Sequence, residues 1–177
     1  MDEKQSVWEL IQSHLRQPEY LHVLFNPLPV YGLAFGAIAL VIAIALRNRA
    51  AQIVALALVL LGALSAWPTI HYGEIAYDRI LTQADAGGNE WLDAHGQRGE
   101  RAEPAFYVLA VIAATALALP WKLPKTATAL NFITLVATLA VLALGIWVAY
   151  AGGQIRHSEF RYGSPPEPRG GYDKMRD

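Results

Sequence analysis

The chain has 177 residues, 54% of them hydrophobic and only 16% charged, against roughly 25% charged in soluble domains. Its charges are excluded from four long apolar runs, the pattern of a polytopic membrane protein rather than of a soluble core. The absence of cysteine excludes disulfides, thiolate metal sites, Cys nucleophiles and covalent haem attachment, and the net charge of −1 gives no reason to expect nucleic acid as a partner.

Taken in order, the start Met1-Asp2-Glu3-Lys4 is polar, with no apolar stretch directly behind it, so the first span is expected to serve as the insertion signal. Residues 1–26 read as an amphipathic arm. Val7, Trp8, Ile11 and Leu15 recur at helical spacing, suiting either a surface helix packed on the bundle or one lying in the membrane interface. Pro18 breaks the arm, and a second short segment, 20–25, carries His22. Asn26-Pro27-Leu28-Pro29 is a stiff lead-in, since each proline fixes its own φ and biases the preceding residue away from helix.

The first span is expected at about 30–46 and contains Gly32-Leu33-Ala34-Phe35-Gly36, a GxxxG suited to close helix packing inside the bundle. The second, about 51–70, ends at Trp67-Pro68. If the helix continues, Trp67, His71, Glu74 and Asp78 share one face. Residues 82–102 read as a long loop, with a turn at Ala86-Gly87-Gly88-Asn89 followed by Trp91, His95, Arg98, Glu100 and Arg101. The third span is expected at about 103–121, with Glu103 and Pro104 in its first turn. The fourth, about 126–151, ends near Trp147 and Tyr150, where Gly152-Gly153 reads most simply as the helix end, or else as close backbone approach to a ligand. The predicted architecture is all-α: a four-helix transmembrane bundle over 1–162 with a short N-terminal arm. The Pro/Gly-rich segment 163–177 is expected to be a disordered tail.

Four spans place both termini and the middle segment on one face. The two tight turns on the other face carry Arg47, Arg49, Lys122 and Lys125 and no acid, hence +4, which leaves −5 for the rest. The positive-inside rule then makes the turns cytoplasmic and, in a bacterial inner membrane, both termini periplasmic. All five histidines fall on that outer face. His71 and His157 each stand just past a span, at one membrane plane. Imidazoles at one level can ligate haem b axially or bind a transition metal with carboxylate help. The candidate ligands are His71 and His157, then His95 and His22, with Glu74. Asp78, Glu100 and Glu159 are orienting carboxylates, and Arg156 is a cation for a lipid phosphate or a haem propionate. The spacings match no enzyme motif: His71-x-x-Glu74 reverses the di-iron order, and no phosphate loop or nucleophile elbow is present.

Asn26-Pro27-Leu28-Pro29 and Gly152-Gly153-Gln154-Ile155-Arg156-His157 resemble two short motifs of a widespread family of small four-span bacterial membrane proteins of unknown function. Those motifs are a proline-rich lead-in, typically His-Pro, and a closing Gly-Gly segment followed by a basic residue and His. The resemblance spans about residues 26–160, with Asn26 where the family has His, and implies a haem or metal role for the histidines. Two functions are therefore expected: a haem- or metal-binding protein of membrane electron transfer, or a non-catalytic accessory subunit packed on other membrane-protein subunits. Charge-free spans make a transporter the weaker third.

Overall fold

Residues 6–163 are described by the computed structural model. The tail expected over 163–177 lies, from 164 onward, outside the described residues. The helices are α1 (Val7–His14), α2 (Pro18–Phe25), α3 (Pro27–Ala45), α4 (Arg49–Leu64), α5 (Ala66–Leu81), α6 (Ala86–Ala118) and α7 (Ala127–Arg156), with short 3-10 turns joining α6 to α7 and following α7. Four runs are long and apolar enough to cross a membrane: Pro18–Ala45, Arg49–Leu81, Ala86–Trp121 and Pro124–Arg156. The chain is an all-α integral membrane protein.

Its spans form a ring in which α3 packs on α4, α4 on α6, α6 on α7 and α7 back on α3. The interior is built from small residues and a few leucines, with Ala37, Ala43, Ala55, Ala63, Ala113 and Ala116 buried beside Leu33, Leu40, Leu56 and Leu109. The larger apolar side chains, such as Phe35, Ile38, Leu61, Val111 and Val136, face outward. Lipid tails are as apolar as leucine, so burial of apolar area cannot drive such helices together; close backbone packing can. The GxxxG works in this way within the chain, because Gly32 meets Gly62 and Gly36 meets Val59 at distances that leave no room for a Cβ.

Each turn has a local cause. After α3, the Arg47 N–H reaches the Ile44 carbonyl and the Asn48 N–H reaches Ala43, with Arg47 left-handed at φ 50°: a Schellman ending made without glycine. The Asn48 side chain then accepts from Ala51 N–H and starts α4. The second run breaks at Ser65, three residues before Pro68, where the Ser65 hydroxyl donates to the Gly62 carbonyl and the Thr69 hydroxyl to that of Ser65. The amphipathic arm appears as α1, opened by a reciprocal Ser6–Glu9 capping box and burying none of its residues.

Three expectations are corrected. Asn26, expected to leave the helix before Pro27, is helical at φ −51°, ψ −37°, so the first run is nearly continuous from Pro18. The missing proline donors at positions 27 and 29 fall in the first turn of α3, where they have no intrahelical partner to lose. The segment 82–102, expected to be a loop, is helical from Ala86, and Pro104 and Glu103 lie inside α6 rather than at its start. Gly88 is not a turn residue. It sits three residues after the N-cap Asp85, and a Cβ there would lie 2.6 Å from the Ile155 carbonyl, so its small size lets α6 close on α7. Gly152-Gly153, expected to end the last helix, is passed by α7, which runs on to Arg156.

These extensions all rise from the same end of the bundle. They form a helical cap in which α2 packs on α5, α5 on α6 and α6 on α7, around a second core of Trp91, Leu92, Ala94, Ala151 and Ile155. Arg161 clamps the cap. Its guanidinium donates to the carbonyls of Gln154 and Ile155 at the frayed end of α7 and to both carboxylate oxygens of Asp85 at 2.8 and 3.0 Å. The Gly88 N–H, and then Arg161, hold the Asp85 carboxyl below its ordinary value of 3.8. A depressed folded-state pKa contributes stability that is present above the unfolded value and is lost as pH falls through the folded one. Thermal midpoints of the wild type and Asp85→Asn, measured in detergent across pH, are expected to differ at neutral pH and to converge as the solution is acidified through that depressed value.

Candidate functional site

The cap holds a half-open cavity of about 1020 Å³, lined by residues of α2, α5, α6 and α7. This is at the upper end of the roughly 300–1,000 Å³ of small-molecule and cofactor sites. Two imidazoles stand in it. His22 on α2 and His95 on α6 have ring centroids 6.1 Å apart and ring planes at 78°. His22 Nδ1 lies 2.8 Å from the Thr69 carbonyl and His95 Nδ1 lies 3.0 Å from the Val148 carbonyl. A carbonyl only accepts, so each Nδ1 carries the proton, and the neutral ring keeps its lone pair on Nε2. Nε2 of neither ring has a hydrogen-bond partner among the described residues.

Two glycines make this placement possible. A Cβ on Gly73 would stand 2.9 Å from His22 Nδ1, and one on Gly152 would stand 3.0 Å from His95 Cε1. Gly152 is thus a close-approach residue, and the group that approaches it is the His95 ring. The level of the pair follows from its carbonyl partners. Thr69 and Val148 lie within one turn of the exposed Trp67 and Trp147, residues of the type enriched at membrane interfaces.

Of the other expected site residues, Glu74 and Arg156 line the cavity, and Arg156 donates to the Gln83 side chain at 2.7 Å. His71 and His157 are exposed and line no part of it. The His71 ring lies flat on Trp67 at 5.6 Å, and His157 pairs with Glu159 at 2.9 Å and stacks on Phe160. The Glu159 carboxyl is held low by its own backbone N–H and then by His157. His14 bonds the Leu10 carbonyl within α1 and lies edge-on to Tyr20 at the cavity wall, but lines no part of the cavity itself. Asp78 and Glu100 are at the cavity wall with Glu19 and Asp93. Tyr77 hydrogen-bonds Asp93, and Arg79 pairs with Glu19. Sequence alone does not single out Gly73, Thr69 and Val148, which position the two rings through a missing Cβ and through main-chain carbonyls.

Among the described residues, five carboxylates and one cation, Arg156, line the cavity, so an acidic group on a ligand is best accommodated at the Arg156–Gln83 edge. Among the described residues, no set of three or more His, Cys, Asp or Glu side chains is placed to hold a metal ion. In comparison with known proteins, the chain matches no family model, no curated relative and no solved structure.

Proposed function

We propose that the cap binds haem b between His22 and His95 and that the protein carries electrons at one face of a membrane. The carrying observation is the spacing of the two rings. Two imidazoles that would hold one metal between them can stand up to roughly 6 Å apart by their centroids, from a metal–nitrogen bond of about 2 Å and a ring radius of about 1 Å for each. The observed 6.1 Å agrees. Donation of Nδ1–H to a carbonyl is also how ligating histidines are commonly oriented and made more basic.

Among the described residues a bare zinc or copper ion would find only two imidazoles here, whereas a porphyrin would bring four nitrogens of its own and would need only His22 and His95 from the chain. The iron would supply one-electron chemistry. The chain would supply ligands, an apolar wall from Val23, Ile70 and Leu92, and Arg156 for a propionate. The charge asymmetry of the turns supports a cytoplasmic position for them, which puts the cap and both termini on the periplasmic side of a bacterial inner membrane.

The test is the visible spectrum of protein purified in mild detergent from haem-replete cells, oxidised and reduced, with iron, zinc and copper analysis. A Soret band with sharp reduced bands and iron near one equivalent is expected. Colourless, metal-free protein that co-purifies with other membrane subunits would favour the accessory-subunit function instead.

A further inference from the structure

On the opposite side of α6 from the cavity, the α6–α7 seam gathers a cation and three aromatic rings at the membrane boundary. The Arg98 guanidinium carbon lies 4.8 Å from the Trp147 ring centroid and 5.8 Å from that of Trp91, and Arg98 Nη1 donates to the Trp147 carbonyl at 2.9 Å. Tyr150, one turn beyond Trp147, has its ring edge-on to Trp91 at 5.9 Å. Arg98 does not line the cavity and forms no ion pair among the described residues, although the cap is rich in carboxylates. Arg101, one turn along α6, is exposed and equally unpaired. Beneath Arg98, the Trp91 indole N–H is buried with no hydrogen-bond partner.

We propose that this seam binds the phosphate of an anionic phospholipid. An unpaired guanidinium held at headgroup depth by two indoles keeps four of its five N–H donors available, in the fork geometry that suits a phosphate. Trp147 and Tyr150 are exposed on the lipid side, where acyl chains would cover them. The Trp91 N–H at the same seam is left without a partner of its own among the described residues. Arg101 adds the second positive charge that favours an anionic over a zwitterionic headgroup. The site is independent of the cavity and of whatever the cavity holds.

Native mass spectrometry of the detergent-purified chain, titrated with phosphatidylglycerol, phosphatidylcholine of the same acyl length, or inorganic phosphate, tests this. One tightly retained phosphatidylglycerol is expected. Its affinity should fall at least about fivefold in Arg98→Gln, the loss of one basic contact near the headgroups, with most of it restored in Arg98→Lys. A merely structural Arg98 would lower thermal stability in both variants and leave the lipid preference unchanged. If Arg98→Gln does not fold, Arg101→Gln, whose side chain is exposed, should still weaken phosphatidylglycerol binding several-fold. Equal binding of the two lipids, unchanged affinity in both glutamine variants, or displacement of the lipid by inorganic phosphate would each overturn the proposal.

Discussion

Replacing His95 with alanine is expected to lower haem affinity by at least about 100-fold, beyond the ~10–100-fold typical of losing only an orienting partner. Replacing His22 should do the same. Both rings are held from behind by a backbone carbonyl and pressed by a glycine, so each is fixed in place by its surroundings. His71→Ala and His157→Ala should retain full cofactor, because those rings are exposed and engaged by Trp67 and by Glu159. Gly152→Val gives an intermediate case. Its branched side chain would enter the space of the His95 ring, tilting the imidazole and shifting the reduced bands without removing the ligand. The readout is the absorbance of each purified variant per mole of chain. If His71→Ala and His157→Ala lose the haem while His22→Ala and His95→Ala keep it, the assignment of the axial pair is wrong.

The second large effect is structural. Gly62→Val is expected to destabilise the bundle by about 3 kcal/mol or more, at or above the upper end of the usual overpacking cost. A Cβ at position 62 would stand 2.9 Å from the Gly32 carbonyl carbon and 3.0 Å from the Leu33 nitrogen, both main-chain atoms that move only if the helices part. Gly62→Ala should be milder, since roughly 1 kcal/mol of helix propensity offsets part of the clash. Gly153→Ala should have the opposite sign. It is helical with nothing within 4 Å of its added Cβ, so it gains propensity without a collision. Unfolding in mixed detergent, followed by circular dichroism, separates the three. A Gly62→Val protein as stable as the wild type would mean that α3 and α4 are not packed backbone to backbone.

Much of this architecture was legible in the sequence because a membrane reduces folding to a coarse rule. Backbone groups must be satisfied within each span, so four apolar runs read directly as four helices. The turns at Arg47-Asn48 and Lys122-Leu123-Pro124-Lys125 were equally plain. The cap was harder to see. Residues 86–102 carry the helical face Gly88, Trp91, Leu92, His95, Gly99 and Ala102, but four of these six are glycine, alanine or histidine, and two glycines at its start imitate a turn. Read as a loop, that segment gives His95 no defined depth and leaves His71 and His157, each following a recognisable span end, as the natural pair.

The structure instead brings together His22 and His95, whose separation along the chain hides their proximity. Gly73 and Gly152 make room for the two rings by being small, a property that sequence shows without showing what it accommodates. Gly152 was legible as a point of close approach, but the ring that approaches it was not.

The most direct test of the central claim is a titration of the purified, haem-free chain with haem b in detergent, followed at the Soret band for the wild type and for the His22→Ala/His95→Ala double variant. The account predicts saturation at one haem per chain with a low-spin, six-coordinate spectrum in the wild type, and no saturable binding in the double variant. Binding that fails to saturate in the wild type, or that survives unchanged in the double variant, would contradict it.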